Sequence, residues 1–192
     1  LILDAPHLPA TEKDWPQISL AIAVALCAAL ESFAPQPQFG VKWPNDVHAN
    51  GRKIAGILVE IPNAAELAAR RVVVGVGLNV NNSWRNAPAE IQHIGTSLCD
   101  LAKQTQEAEQ VMIAVLGEIE SCLSLLVNGD ARLNTSWQNL CVLGGRTVVV
   151  DLGRSTVAGT CRGIDTDGAL VLENETGTQR LYGGVIRSID AS

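Results

Sequence analysis

Two short segments hold most of the residues able to do chemistry. The first is Val41-Lys42-Trp43-Pro44-Asn45-Asp46, followed by Gly51-Arg52-Lys53-Ile54-Ala55-Gly56-Ile57-Leu58-Val59-Glu60. Trp43 precedes a proline and is held extended. Pro44 cannot donate to a strand ladder, so pairing ends or bulges there, and Asn45 and Asp46 fall where polar groups can face a ligand. Asn50-Gly51 is a two-residue hairpin signal. A simple turn sets Ala49 opposite Arg52, His48 opposite Lys53, Asp46 opposite Ala55 and Asn45 opposite Gly56. Opposed and alternate residues share a face, which makes Asp46 and Lys53 diagonal neighbours. Lysine beside aspartate at a strand break suits a phosphate ester. The ammonium attracts the phosphate, and the carboxylate can orient the lysine, hold Mg²⁺ or accept from a ribose hydroxyl. A solvated hairpin with an ordinary surface ion pair fits the same spacing. Lysine usage favours the first reading, because the only lysines are Lys13, Lys42, Lys53 and Lys103 and two of them fall here.

The second segment is Val72-Val73-Val74-Gly75-Val76-Gly77-Leu78-Asn79. Gly75 and Gly77 share a face of a Val-rich strand and make a flat floor for a planar or thin ligand, or room for a tightly packed helix. No G-x-G-x-x-G opens a helix here, so this is not a dinucleotide fingerprint. Asn79, at the strand end, carries an amide that both donates and accepts and so could read an adenine edge.

These segments need elements to position them. Residues 1–3 read as a strand end. Pro6, Pro9 and Pro16 punctuate the loop that follows, and a helix over 16–33 is apolar nearly all round and therefore buried. Strands are expected at 39–43, 46–49, 52–60 and 71–80, with a turn near Pro62-Asn63 and a polar loop over 81–95. Helices follow at 97–103, 107–127 and 131–141. In the second of these, Met112, Val115, Leu116, Ile119, Leu123 and Leu126 form a core stripe. From Gly144 short strands alternate with Gly, Asp and Asn turns, at 146–152, 156–164, 169–173, 179–182 and 185–189, the pattern of a small barrel. The domain boundary is set near 142, giving domains 1–141 and 142–192.

Composition bounds the class. The chain has 192 residues, 47% apolar and 18% charged, with a formal net charge of −6. That supports a substantial core and offers no basic groove for nucleic acid. The five cysteines are odd in number, widely spaced and without a C-x-x-C, as for reduced thiols of a cytoplasmic protein. The apolar run from Ile18 to Leu30 is shorter than the ~20 residues a bilayer span needs, and it lacks the flank and cleavage site of a signal peptide. No membrane partner is expected.

Lys42-Trp43-Pro44-Asn45-Asp46, the Gly51–Glu60 segment and Gly75-Val76-Gly77-Leu78-Asn79 together resemble the biotin–protein ligase (biotin–[acetyl-CoA-carboxylase] ligase) family. Gly95-Thr96-Ser97-Leu98, Gly163–Leu170 and Gly183-Gly184-Val185 are similar to further elements of it. The resemblance implies an α+β fold: a class II aminoacyl-tRNA-synthetase-like mixed sheet with helices, followed by a small SH3-like β-barrel. It implies the cofactors ATP and Mg²⁺, biotin as substrate and a biotinyl-5′-AMP intermediate. The partner it implies is a biotin carboxyl carrier protein of acetyl-CoA carboxylase, with no DNA. By position, Lys53 would neutralise charge between carboxylate and α-phosphate, and Asp46 would serve the nucleotide and metal side. Gly56, Ile57, Gly75 and Gly77 would contact biotin. Lys42, Asn45, Asn79 and Arg187 would contact the nucleotide. The family's upstream Ser/Thr-rich turn and Gly/Arg-rich loop have no match here. Leu1-Ile2-Leu3 reads as the strand after that loop, and the chain is expected to be the C-terminal part of a ligase, weak or inactive alone. A lipoate–protein ligase or octanoyltransferase, or a non-catalytic remnant that binds a carrier domain, are the competing readings. An exposed sheet edge could pair with the carrier or with a second copy.

Overall fold

The computed structural model describes residues 1–4, 7–9, 14, 16–61 and 71–190. The turn expected near Pro62-Asn63 lies outside them, as does Pro6. The first sheet is built from β1 (Ile2–Asp4), β2 (Phe39–Lys42), β3 (Asp46–Ala49), β4 (Arg52–Glu60) and β5 (Arg71–Leu78), in the order β1-β5-β4-β3-β2. The resemblance implied a mixed sheet. Among the described residues every strand pairing in it is antiparallel.

α1 (Pro16–Glu31) lies against this sheet and is the centre of the core, with twelve of its sixteen residues buried. An apolar surface on every side can be satisfied only by neighbours on every side. α1 accordingly packs on β2, β3 and β4, on α4 (Ala108–Val127) and on α5 (Ala131–Asn139). Its one buried polar side chain, Ser19, places its hydroxyl 3.1 Å from the carbonyls of both Pro16 and Pro44. This fixes the turn that presents Asn45 and Asp46. Burial also pushes the Cys27 thiol up to about 12. Two short helices, α2 (Ala89–Gln92) and α3 (Leu98–Ala102), fall between β5 and α4; the first interrupts what the sequence suggested was an unbroken loop.

The expected core stripe of α4 is rotated. Val111, Val115, Ile119, Cys122, Leu123 and Leu126 are buried, while Met112 and Leu116 are exposed. They line a groove of about 350 Å³ with Leu1, Val74, Val76 and Leu78. By length and composition α4 is long enough to cross a membrane, but its buried face here lies against α1.

The second sheet has the order β10-β6-β7-β8-β9, all antiparallel, from β6 (Thr147–Asp151), β7 (Thr156–Ile164), β8 (Leu170–Asn174), β9 (Gly177–Leu181) and β10 (Val185–Ile189). Its strands fall within a few residues of the expected ones. The turn before β8 docks on the first unit. Gly168 has φ +84, the Trp43 indole donates to its carbonyl at 3.1 Å, and a Cβ there would come within 3.2 Å of Gln17 and Leu20. The Trp137 indole donates to the neighbouring Asp165 carbonyl at 3.1 Å.

Candidate active site

The ladder places four residues in one cross-strand row. Lys42 opposes Asp46, Asp46 opposes Gly56, and Gly56 opposes Gly77. Directly opposed residues project from the same face, so two charged side chains from β2 and β3 stand beside a floor of two glycines from β4 and β5. Gly75 lies two residues further along the same face, opposite Leu58, which is 57% exposed. That face of the sheet is open.

The register corrects the simple hairpin. Ala49 opposes Arg52 and His48 opposes Lys53 as expected, but a β-bulge follows and Asp46 meets Gly56 rather than Ala55. Ile54 is the extra residue. Its side chain is fully buried, and its carbonyl accepts from the Asn79 N–H at 2.9 Å. The bulge leaves Lys53 on the site face, and its Nζ lies 2.6 Å from Asp46 Oδ1. An ideal Cβ on Gly56 would sit 3.1 Å from that Nζ and 3.3 Å from that Oδ1. The ion pair therefore lies directly over the glycine floor.

Lys53 is also fixed through its backbone. Its N–H donates to Ile94 O and its carbonyl accepts from Thr96 N–H, each at 2.9 Å, so residues 94–96 run alongside it. His48, opposite Lys53, is buried. Its Nδ1 lies 3.1 Å from Gly51 O, and Nε2 has no protein partner among the described residues. Burial pulls its pKa below the usual 6.5, an effect only partly offset by the Gly51 carbonyl. The imidazole beside the two lysines is therefore neutral at pH 7.

The remaining sequence candidates divide. Asn45 ties the bulged strand: its side-chain amide N–H donates to Ile57 O at 2.7 Å and its backbone carbonyl accepts from Ile57 N–H at 2.9 Å. Ile57 itself is 2% exposed, on the core face. Its side chain does not join Gly56, because consecutive strand residues point to opposite faces. Arg187 pairs with Asp151 of β6 at 2.6 Å, within the second sheet. Asn79 donates from its amide to Thr96 O at 3.0 Å and accepts from Asn82 at 2.8 Å, which leaves one N–H and one lone pair of the amide uncommitted to these partners.

Lys53, Gly56, Gly77 and Asn79 line a cavity of about 390 Å³, together with Trp84 and Gly95. The last two were not foreseen as site residues. Trp84 Nε1 is buried without a protein partner among the described residues. A Cβ on Gly95 would come within 2.5 Å of two Trp84 ring carbons, so glycine is what admits the indole. Among the described residues no cluster of three or more His, Cys, Asp or Glu could hold a metal. Asp46 offers one carboxylate, which fits Mg²⁺ only when substrate phosphates and water complete its shell.

Fold and site define a two-unit α+β protein with a cationic pair of strands beside a glycine-floored cavity. Residues 1–79 match the Biotin/lipoate A/B protein ligase family and residues 143–187 match the Biotin protein ligase C terminal domain. The chain is 32% identical over 178 residues to the Bifunctional ligase/repressor BirA of Bacillus subtilis, covering 92% of this chain and 54% of that protein. It is 35% identical over 162 residues to the Biotin--[acetyl-CoA-carboxylase] ligase of Mycobacterium tuberculosis, covering 83% and 57%. A biotin protein ligase from Aquifex aeolicus, solved in complex with biotin and ATP, superposes with a TM-score of 0.82 at 24% identity, covering 100% of this chain and 77% of that one. The chain spans about half the length of the curated relatives it matches. Both of its units are thus similar to those of biotin protein ligases.

Proposed function

We propose that this chain carries the adenylate-forming site of an ATP-dependent biotin–protein ligase. In this reading the biotin carboxylate attacks the α-phosphorus of ATP and displaces pyrophosphate, giving biotinyl-5′-AMP. A lysine amine of a biotin carboxyl carrier protein of acetyl-CoA carboxylase then attacks the acyl carbon and displaces AMP. The observation that carries the reading is the Lys53–Asp46 pair standing directly above Gly56 in the Lys42–Asp46–Gly56–Gly77 row. Two anions must approach each other in the first step, and a positioned ammonium lowers that barrier electrostatically. Asp46 holds Lys53 in place, Lys42 adds charge from the next strand, and Gly75 and Gly77 let a flat ligand lie on the backbone. Asn79 offers its remaining donor and acceptor to the base. Mg²⁺ arriving with ATP would neutralise phosphate charge, with Asp46 as its one protein oxygen.

The 192 residues contain no Gly/Arg-rich loop to cover the adenylate, and we assign them weak turnover on their own. The carrier, or a second copy, would pair at β1. The other edge, β2, is closed by Leu140 and Val142, which bond Val41 at 2.7 and 3.0 Å. A cytoplasmic setting follows from the carrier partner and the free thiols.

Formation of biotinyl-AMP from biotin and MgATP, compared between wild type and Lys53→Ala, tests the assignment. The variant should fold and lose adenylate formation, because a half-exposed ion pair contributes only about 0–1 kcal/mol to stability. Wild-type rates in Lys53→Ala would refute the role of Lys53. A preference for lipoate over biotin would move the chain to the other branch of the same fold.

A further inference from the structure

We propose that Asp100 is a positioning residue that sets the Trp84 wall of the site; the proposal rests on the ligase reading above. Asp100 lies on α3 and its side chain is 12% exposed. One carboxylate gathers three consecutive residues of a loop sixteen positions away. Oδ1 accepts from the Ser83 hydroxyl at 2.7 Å and pairs with Arg85 Nε at 3.2 Å, and Oδ2 accepts from the Trp84 backbone N–H at 2.7 Å. Its own carbonyl accepts from Arg85 Nη2 at 3.3 Å. Burial raises the pKa of this carboxyl, but the hydrogen bonds from Ser83, Trp84 and Ser97 and the charge of Arg85 outweigh it, so the group is ionised at neutral pH.

The first turn of α3, which carries Asp100, is also anchored to the end of the strand that carries the glycine floor. Leu98 N–H donates to Asn79 O, and Cys99 N–H donates to Val80 O, each at 2.9 Å. Asp100 therefore stands between two parts of the same cavity, Asn79 behind it and Trp84 ahead of it. The Trp84 ring in turn rests on Gly95, whose backbone runs beside Lys53. Removing the carboxylate releases the 83–85 turn, where Ser83 is exposed and the Arg85 side chain is 64% exposed. No apolar core contact is lost with it. What is lost is the seat of the indole, and with it the wall against which a planar base would lie.

The test uses Asp100→Ala, Asp100→Asn and Arg85→Ala, each also prepared with Trp84→Phe so that Trp84 emission is obtained by difference. Biotinyl-AMP formation is measured against ATP concentration, and acrylamide quenching of Trp84 is measured without ligand. Asp100→Ala should raise the KM for ATP about tenfold, the scale for hydrogen bonds to a charged group. It should leave kcat little changed and expose Trp84 to acrylamide. Asp100→Asn keeps one acceptor and should fall between; it carries the test if the alanine variant does not fold. Arg85→Ala removes an exposed side chain and its bonds to Asp100 but leaves the carboxylate's contacts to Ser83 and Trp84, and should behave as wild type. A wild-type KM with Trp84 still shielded in Asp100→Ala would overturn the proposal. So would a loss of kcat and Tm at unchanged KM, which is the mark of a structural role. If wild type forms no biotinyl-AMP, the ligase reading fails. The quenching comparison then decides the placement of Trp84 alone, with exposure in Asp100→Ala supporting it and continued shielding overturning it.

Discussion

Gly56→Ala should separate activity from stability. The methyl group would sit 3.1 Å from Lys53 Nζ, 3.2 Å from its Cε and 3.3 Å from Asp46 Oδ1. Comfortable non-bonded separations are about 3.5–4.0 Å, so the ammonium must retreat by roughly 0.5 Å, which a four-carbon side chain can do. Stability should hardly move. Gly56 has an extended backbone that alanine can adopt, and loss of glycine's freedom in the unfolded chain contributes about 0.4–1 kcal/mol in favour of folding. The disturbed pair is 44% and 23% exposed at its two side chains and is worth about 0–1 kcal/mol at most, so the two effects offset. Catalysis has no such cushion. Misplacing a reacting group by about 1 Å costs on the order of 100-fold, so half that distance should cost about tenfold in kcat. The assay is pyrophosphate release from biotin and MgATP beside a thermal melt of the same preparation. Gly77→Ala is the control, because its nearest protein atom would be Gly56 O at 3.9 Å. There the methyl disturbs no side chain and enters the ligand's space, so the loss should appear in KM. Wild-type kcat in Gly56→Ala, or a fall in Tm matching its fall in rate, would refute the argument that this glycine exists to seat the lysine.

Two further outcomes follow from buried polar groups. Trp43→Phe removes the indole donor to Gly168 O and leaves a buried carbonyl unpaired, so urea unfolding should show a loss of about 1–3 kcal/mol; an unchanged midpoint would mean that this contact does not hold the two units together. His48 has a folded-state pKa lowered by burial, so below the ordinary value the unfolded chain binds the extra proton. Its contribution is therefore present above about pH 6.5 and declines as pH falls toward the depressed value. The urea midpoint should drop between about pH 7.5 and about pH 5.5, and His48→Gln should flatten that drop; an identical slope in the variant would refute the assignment to His48.

The elements were legible where one residue pattern dictates one environment. α1 is apolar on all sides and buried on all sides, and Asn50-Gly51 closes the hairpin as its two residues require. The strands of the second sheet follow their Gly, Asp and Asn turns. The pairing of Lys53 with Asp46 was legible as well, although by a register that does not occur. Three placements are not legible in the sequence motifs, each for a physical reason. Ile57 was grouped with Gly56, yet strand alternation already sends it to the core. Arg187, which the resemblance places at the nucleotide, pairs with an aspartate on the adjacent strand. Trp84 lies in a polar segment with no periodicity, and it reaches the site through residues 94–96, which return to pair with Lys53, and through its backbone bond to Asp100. No local pattern encodes a contact made through a second loop.

The bulge is the point where these strands become a site. Without it Asp46 would oppose Ala55, and a methyl group, not a bare backbone, would lie beneath the carboxylate. The extra residue at Ile54 turns Ala55 to the core, where it is 2% exposed, and brings Gly56 under the ion pair. A bulge also frees backbone groups that a regular ladder would satisfy. Here the Ile54 carbonyl and the outward-facing Lys53 backbone beside it are both taken up by groups that line the cavity. Ile54 O binds the N–H of Asn79, and the Lys53 backbone binds both Ile94 and Thr96. Asn79 is thus held by a hydrogen bond that the irregularity made available, and Gly95 and the Trp84 wall by the Lys53 backbone groups that face away from β3. A regular hairpin of the same composition would keep the Lys–Asp pair and lose the glycine floor beneath it.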